Sequence, residues 1–331
     1  MEYRVNKEFD INNSIPKVLL IGNGLARSSQ NPDWRETILR IASGSEKTSD
    51  ELKQRIDRVK DAPYSVKSTV MLDVADSDRQ GKYESYFTNE SLYHYDKSYE
   101  KIKRLLGIGF DAVLTTNYTY EIEDTIKNNY HGLKNDTKLK YSKCTFSKQE
   151  TKIDKTRLLR TYNSIDGNDI WHIHGEIRRK SSLVLTHDEY SRLIGDMMNY
   201  NKHRGKEYID YSESLKFKSW IDYFLLGDVY TIGFGFDFSE YDLWWLLNRR
   251  QREKAIKGKM YVFNPKNSAP EKDNASVREA LKMLGCHVET LDISISDDKD
   301  NMKTINDEYE YFYDRAIEKI DELVRKPVLV P

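Results

Sequence analysis

An α/β fold, with a parallel sheet covered by helices on both faces, is predicted by two features of the sequence. Five short apolar runs each end in glycine or small polar residues, and segments with helical spacing lie between them. Runs of this length, bounded by turn formers, read as strands buried on both faces, which carry apolar side chains continuously rather than alternately. Length agrees, because a chain of 331 residues buries about three quarters of its unfolded surface.

In chain order, Lys17-Val18-Leu19-Leu20-Ile21 leads into Gly22-Asn23-Gly24, and Phe110-Asp111-Ala112-Val113-Leu114 into Thr115-Thr116-Asn117. Ile170-Trp171-His172-Ile173 leads into His174-Gly175, Val229-Tyr230-Thr231-Ile232 into Gly233-Phe234-Gly235, and Met260-Tyr261-Val262-Phe263 into Asn264-Pro265. Helical spacing occupies residues 188–200, 213–226, 240–254, 275–284 and 307–324. Phe238-Ser239-Glu240 reads as the opening of the third of these with a serine cap, and Arg249-Arg250-Gln251-Arg252 as its solvated end. Two segments interrupt the alternation within what reads as one domain over residues 1–331. About 45–106 is highly charged with a helical pattern and reads as a smaller inserted helical lobe; about 128–168 is rich in Lys, Asn, Ser and Thr and reads as a loop-rich insertion.

Composition narrows the function. With 53 Lys+Arg against 54 Asp+Glu the net charge is −1, which argues against direct nucleic-acid binding. No apolar stretch is long enough to span a membrane, and Met1-Glu2-Tyr3-Arg4-Val5 lacks the apolar core of a secretory signal. Cys144 and Cys286 are the only cysteines, too few for a four-thiolate zinc site or a disulfide framework. The expectation is a reduced, cytoplasmic protein with no zinc module.

In parallel sheets of this kind the ligand sits outside the carboxyl ends of the strands, where each run above turns polar or glycine-rich. The first turn fails the full dinucleotide fingerprint, because the place of the third glycine holds Arg27. What is left is either an ordinary strand-to-helix turn or a cradle that lets a phosphate approach Gly22 and Gly24, with Arg27 adding charge. Further along, His172 and His174 sit two apart, a spacing that puts both on one side of a strand. A metal could use such a pair, but no second clear ligand pair accompanies it, so no metal is expected. His172 reads better as a structural histidine with a hydrogen-bonded ring. Asp237 and Asp242 fit either ribose contacts or helix caps and surface roles.

Taken together, these turns resemble the sirtuins. Gly22-Asn23-Gly24 followed by Pro32-Asp33-Trp34-Arg35 is similar to the sirtuin Gly-Ala-Gly turn and its Pro-Asp-Phe-Arg. Thr115-Thr116-Asn117-Tyr118-Thr119 resembles Thr-Gln-Asn-Ile-Asp, and His174-Gly175 resembles the catalytic His-Gly. Gly233-Phe234-Gly235 stands in the place of Gly-Thr-Ser, Phe263-Asn264 resembles the Ile-Asn pair at the adenosine ribose, and Gly285-Cys286 sits where the family closes over adenine. The matches run from residue 17 to about 290. The chain departs from the deacylases in its missing zinc cysteines, in Thr119 where they carry Asp, and in the segment after His174. It is similar instead to the zinc-free sirtuin-like domains of bacterial anti-phage defence proteins, which generally hydrolyse NAD+.

That resemblance implies a Rossmann-like sheet and NAD+ as substrate. It implies Asn117 and His174 as the catalytic pair. It implies cofactor contacts from Gly22, Asn23, Gly24, Arg27, Asp33, Trp34, Arg35, Thr116, Gly233, Phe234, Gly235, Asn264 and Cys286. It further implies control through homo-oligomerisation or a separate partner such as a ring-forming ATPase. The chemistry is compatible: cleavage of a glycosidic bond passes through an oxocarbenium-like state, an amide can hold a water, and a histidine can take a proton near neutral pH. A deacylase or ADP-ribosyltransferase uses the same bond cleavage with another acceptor, and a module that only binds NAD+ or ADP-ribose would not turn over at all.

Overall fold

The computed structural model describes residues 7–10, 14–25, 34–43, 49–73, 96–127, 159, 162–176, 182–210, 215–253, 257–266, 274–292 and 305–325. Among these residues a seven-stranded sheet forms the centre. Its strands are β2 (Lys17–Ile21), β3 (Ala112–Thr115), β4 (Asn163–Ile165), β5 (Asn168–His172), β7 (Asp228–Ile232), β8 (Met260–Lys266) and β9 (His287–Asp292), in the spatial order β4-β5-β3-β2-β7-β8-β9. All neighbours run parallel except β4 and β5, which form an antiparallel hairpin at one edge. Asp166 and Gly167, with φ of 48° and 86°, make that hairpin's two-residue turn, where both positions need the left-handed conformation that Asp-Gly tolerates. A separate small sheet pairs β1 (Glu8–Phe9) with β6 (Leu215–Lys216).

This is the Rossmann-like α/β architecture expected from the alternation. All five apolar runs form strands. The pleat explains why they are apolar throughout: Val18 and Leu20 join one core cluster while Leu19 and Ile21 join the other. The first cluster lies under α6 (His187–Asp210), α7 (Trp220–Leu226), α8 (Tyr241–Arg252) and α9 (Ala275–Met283), with Trp220 and Phe224 fully enclosed. The second lies under α4 (Asp96–Leu106), α5 (Glu121–Ile126) and α10 (Ile305–Arg325), through Ile102, Leu105, Ile122, Phe312 and Ile320. A third cluster is built by α1 (Trp34–Ser43), α2 (Asp50–Arg58) and α3 (Tyr64–Asp73). It closes over Tyr118, Leu183 and Leu185, so this helical unit is fastened to the sheet's carboxyl edge. Of the segment 45–106, α2 and α3 belong to that unit, whereas α4 packs on the sheet.

Three local expectations need correction. The helix expected over 213–226 begins only at Trp220, because Leu215 and Lys216 pair with β1 and Ser219 then closes a capping box with Asp222. The helix after Ser239 is not capped by that serine. Glu240 stands at its N-cap without a side-chain bond, and the Ser239 amide donates to Asp237 Oδ1 at 2.8 Å. The arginine run at its far end is not wholly solvated. Arg250 is buried and donates to the carbonyls of Phe224, Leu225 and Gly227, satisfying the orphan acceptors at the end of α7.

The chain order sets the position of the site. From β2 the chain steps outward through β3 to β5, then returns to the other side of β2 as β7 and continues to β8 and β9. The order therefore reverses between β2 and β7, and the carboxyl ends of β2, β3, β5 and β7 border the reversal.

Candidate functional site

Asn117 and His174 leave neighbouring strand ends in step. Thr115 pairs with His172 in the β3–β5 register, and the Ile173 amide donates to the Thr115 carbonyl at 2.9 Å, carrying the ladder past the last paired residues. Each candidate lies two residues beyond that pair. Both are buried.

Asn117 is held by its amide nitrogen. Its backbone N–H donates to Thr115 Oγ1 at 3.1 Å and its Nδ2 donates to Glu121 Oε1. Thr119 Oγ1 donates to the other oxygen, Glu121 Oε2, at 2.6 Å. Burial raises the Glu121 pKa above the usual carboxylate value against the pull of these donors. Asn117 Oδ1 has no hydrogen-bond partner although it is buried.

His174 shows the same division. Its Nε2 lies 2.9 Å from Asp242 Oδ2 and 3.7 Å from Glu240 Oε2. Tyr190 donates its hydroxyl to Glu240 Oε2 at 3.1 Å and sets its ring edge-on to the imidazole at a centroid distance of 5.3 Å. The buried Nδ1 has no partner. Burial works against the imidazolium, yet Asp242, by charge and hydrogen bond, and Glu240 outweigh it and hold the pKa of His174 above its ordinary value. Burial, with Asp242 close by, pushes the Glu240 carboxyl up to about 7 in spite of His174. His174, Glu240 and Asp242 each offer a ligand atom within 4.8 Å of one another. In this arrangement the imidazole Nε2 stands at hydrogen-bond length from Asp242.

Two glycines shape the surroundings. Gly175 has φ of 90°, and a Cβ there would stand 2.2 Å from the Ser182 carbonyl oxygen. The chain thus folds back on itself: the Val184 amide donates to the His174 carbonyl at 2.9 Å, and Tyr118 Oη donates to the Val184 carbonyl at 2.7 Å. Gly233, with φ of 67°, is clasped against the first glycine turn. The Gly22 amide donates to Ile232 O at 3.0 Å and the Gly24 amide to Gly233 O at 2.7 Å. A Cβ on Gly22 or Gly24 would come within 2.4 or 2.6 Å of that same Gly233 oxygen. The glycines are thus needed where the turns after β2 and β7 pack together, and the Gly22 and Gly24 amides are engaged there.

The remaining candidates divide. Thr116 is buried beside Asn117, Asn23 opens a short 3₁₀ turn, and Phe234 packs edge-on to Phe236 at 4.6 Å. Gly235 faces open space where a Cβ would stand. Asn264, at the carboxyl end of the β8–β7 pairing, is buried with Nδ2 unpartnered. Cys286 is a free thiol in the core whose pKa burial pushes up to about 11. Arg35 is turned to α2, pairing with Asp57 at 2.6 Å. Arg27 and Asp33 lie outside the described residues, as does the side chain of Trp34.

Sequence reasoning missed Glu121 and read Asp242 as a ribose contact or cap rather than as the partner of His174. Glu121 stands four residues after Asn117, a spacing that was readable; Asp242 is 68 residues from His174, and no sequence spacing links them.

This strand-end arrangement sits on a Rossmann-like α/β sheet. A family model described as a SIR2-like domain matches residues 111–288, from the approach to β3 to the start of β9. The chain belongs to the SIR2-like family, whose domains use NAD+. Asn117, His174, Gly233 and Asn264 fall within the matched region, while Gly22 to Arg35 precede it. No curated protein matches the chain. Among the described residues, no helix is long and apolar enough to cross a membrane.

Proposed function

We propose that the protein is an NAD+ glycohydrolase that uses water to release nicotinamide, ADP-ribose and a proton. The observation that carries this reading is the paired division of labour at the strand ends: each candidate catalytic side chain has one heteroatom fixed by a carboxylate and its other heteroatom unpartnered in the interior. The residues fit the substrate, since unpaired acceptors at Asn117 Oδ1 and His174 Nδ1 are the groups that hydroxyls of water and ribose would satisfy.

Departure of nicotinamide as a neutral base leaves positive charge at the ribose carbon, an oxocarbenium-like centre. Glu121 holds the Asn117 amide by its NH2, so Oδ1 is left to accept a hydrogen from water and aim its lone pair. Asp242 holds the proton of His174 on Nε2, so Nδ1 keeps its lone pair and accepts the proton from a ribose hydroxyl or from the attacking water. Asn264 Nδ2 is a donor suited to a second ribose. The burial of both acceptors fits an isolated chain that opens only under control, by homo-oligomerisation or by a partner such as a ring-forming ATPase. This reading places the chain in anti-phage defence through NAD+ depletion.

The test is nicotinamide release from NAD+ by purified protein across rising concentration, with Asn117→Ala and His174→Ala beside the wild type. Release by the wild type and its loss in both variants is expected. Release that survives in both variants ends the mechanism, consumption only when an acyl-lysine or protein acceptor is added makes it a transferase, and nucleotide retained without turnover makes it a binding module.

A further inference from the structure

The mechanism uses one histidine of the His-x-His pair and leaves His172 without a task. His172 is buried at the last paired position of β5. Its Nδ1 lies 2.7 Å from the backbone oxygen of Asn117 and its Nε2 lies 2.8 Å from Glu123 Oε1. A carbonyl can only accept, and so can a carboxylate. A neutral imidazole carries one N–H and would turn a lone pair toward one of these oxygens, whereas the doubly protonated ring satisfies both.

The surroundings are built for that charge. Glu123 comes from α5 and Glu176 from the segment after β5. Asn163 of β4 donates Nδ2 to both, at 2.9 Å to Glu123 Oε1 and 3.0 Å to Glu176 Oε2. The Tyr120 ring meets the imidazole edge-on at 5.5 Å. Burial disfavours the charged ring, but Glu123 by charge and hydrogen bond, then Glu176 and the Asn117 carbonyl, outweigh it and lift His172 to about 9. The consequence falls on Asn117. Thr115 Oγ1 takes its N–H, Glu121 takes its Nδ2, and His172 takes its C=O, so three tethers fix the residue and leave Oδ1 as its open atom.

We propose that His172 is a charged positioning residue: as an imidazolium it ties the Asn117 carbonyl to the Glu123–Asn163–Glu176 network and so sets the direction of the Asn117 side chain. The activity part of this proposal rests on the hydrolase reading; the charge state does not. The first experiment is therefore nitrogen NMR of the histidine rings in the wild-type protein, with His172 assigned by its loss in His172→Gln. Both ring nitrogens protonated at neutral pH, with titration near 9, is the expected result. A neutral His172 ring beside a protonated Glu123 overturns the proposal, whether or not the protein cleaves NAD+.

The second experiment separates positioning from bulk support. His172→Asn keeps an amide donor near the place of Nδ1, facing Asn117, while His172→Gln reaches the place of Nε2, facing Glu123. A misplaced catalytic group costs up to about 10²-fold, so His172→Gln is expected to lose about 10- to 100-fold in kcat with KM within about threefold, and His172→Asn to recover most of it. Equal losses in the two folded variants, or no loss in His172→Gln, overturn the positioning role.

Discussion

Asp242→Asn removes one charge from the site while keeping its shape, and the geometry around His174 fixes the expected effect. Asp242 Oδ2 lies 2.9 Å from His174 Nε2, and a carboxylate can only accept there, so the proton sits on Nε2 and Nδ1 is the base. An amide at the same place can turn its NH2 toward Nε2 and send the proton to Nδ1, which removes the base. Where the same exchange is made in hydrolases that depend on a histidine base, kcat falls about 10⁴-fold. In the proposed hydrolysis nicotinamide departs without a general acid, so the general-base contribution is what is lost, about 10²- to 10⁴-fold or roughly 2.7–5.4 kcal/mol of barrier. The pH profile moves as well. Burial lowers the His174 pKa, but Asp242 and Glu240 raise it on balance, so the base form becomes the major one at a higher pH than for an ordinary histidine. Wild-type release should rise with pH through that raised value, and the rise should shift toward acid pH in Asp242→Asn, where a raising charge is gone. Nicotinamide release measured from about pH 5 to about pH 10, with thermal unfolding as the control for folding, reports both effects. Wild-type kcat together with an unmoved rise in the folded variant would refute the assignment of His174 as base and Asp242 as its orienting group.

Two further outcomes concern the scaffold. Arg250→Met leaves the buried carbonyls of Phe224, Leu225 and Gly227 without their donor, and urea unfolding should report a loss of about 2–4 kcal/mol; a loss under about 1 kcal/mol would mean that water replaces the guanidinium. Gly175→Ala forces a side chain into a left-handed conformation with its Cβ 2.2 Å from the Ser182 carbonyl oxygen, so it should cost about 2 kcal/mol or more and reduce nicotinamide release by displacing His174. A variant with unchanged unfolding midpoint and activity would show that the return of the chain after His174 is not rigid.

The range of each interaction decides whether it is legible in the sequence. Strands are legible because a strand buried on both faces must be apolar at every position, as Val18 to Ile21 are. The ends of those strands are legible because His174-Gly175 and Gly233-Phe234-Gly235 sit at turns that require glycine. Short β4 is not, since Asn163 is buried by a polar network and supplies no apolar signal. β9 escapes for a related reason: at the sheet edge its run His287 to Asp292 mixes polar and apolar residues. The purpose of the first glycine pair is hidden, because a sequence cannot distinguish a glycine that makes room for a phosphate from one that makes room for Gly233. Asp242 reads as a cap or a ribose contact because nothing local distinguishes an acid in the first turn of a helix that points outward from one that points to a histidine beyond the end of β5.

The histidine pair shows most clearly why residue type is not yet role. His172 and His174 have the same side chain, leave the same strand and are both buried, yet their oxygen partners divide them. His172 has an acceptor at each nitrogen and so is full: it can hold a position but has no lone pair to give. His174 has an acceptor at one nitrogen only, and the other keeps the lone pair on which a proton transfer depends. The acids that make this distinction come from elements the two histidines do not share, Glu123 from α5 and Asp242 from α8. Moving a carboxylate, rather than a histidine, is therefore the change that would exchange the two roles.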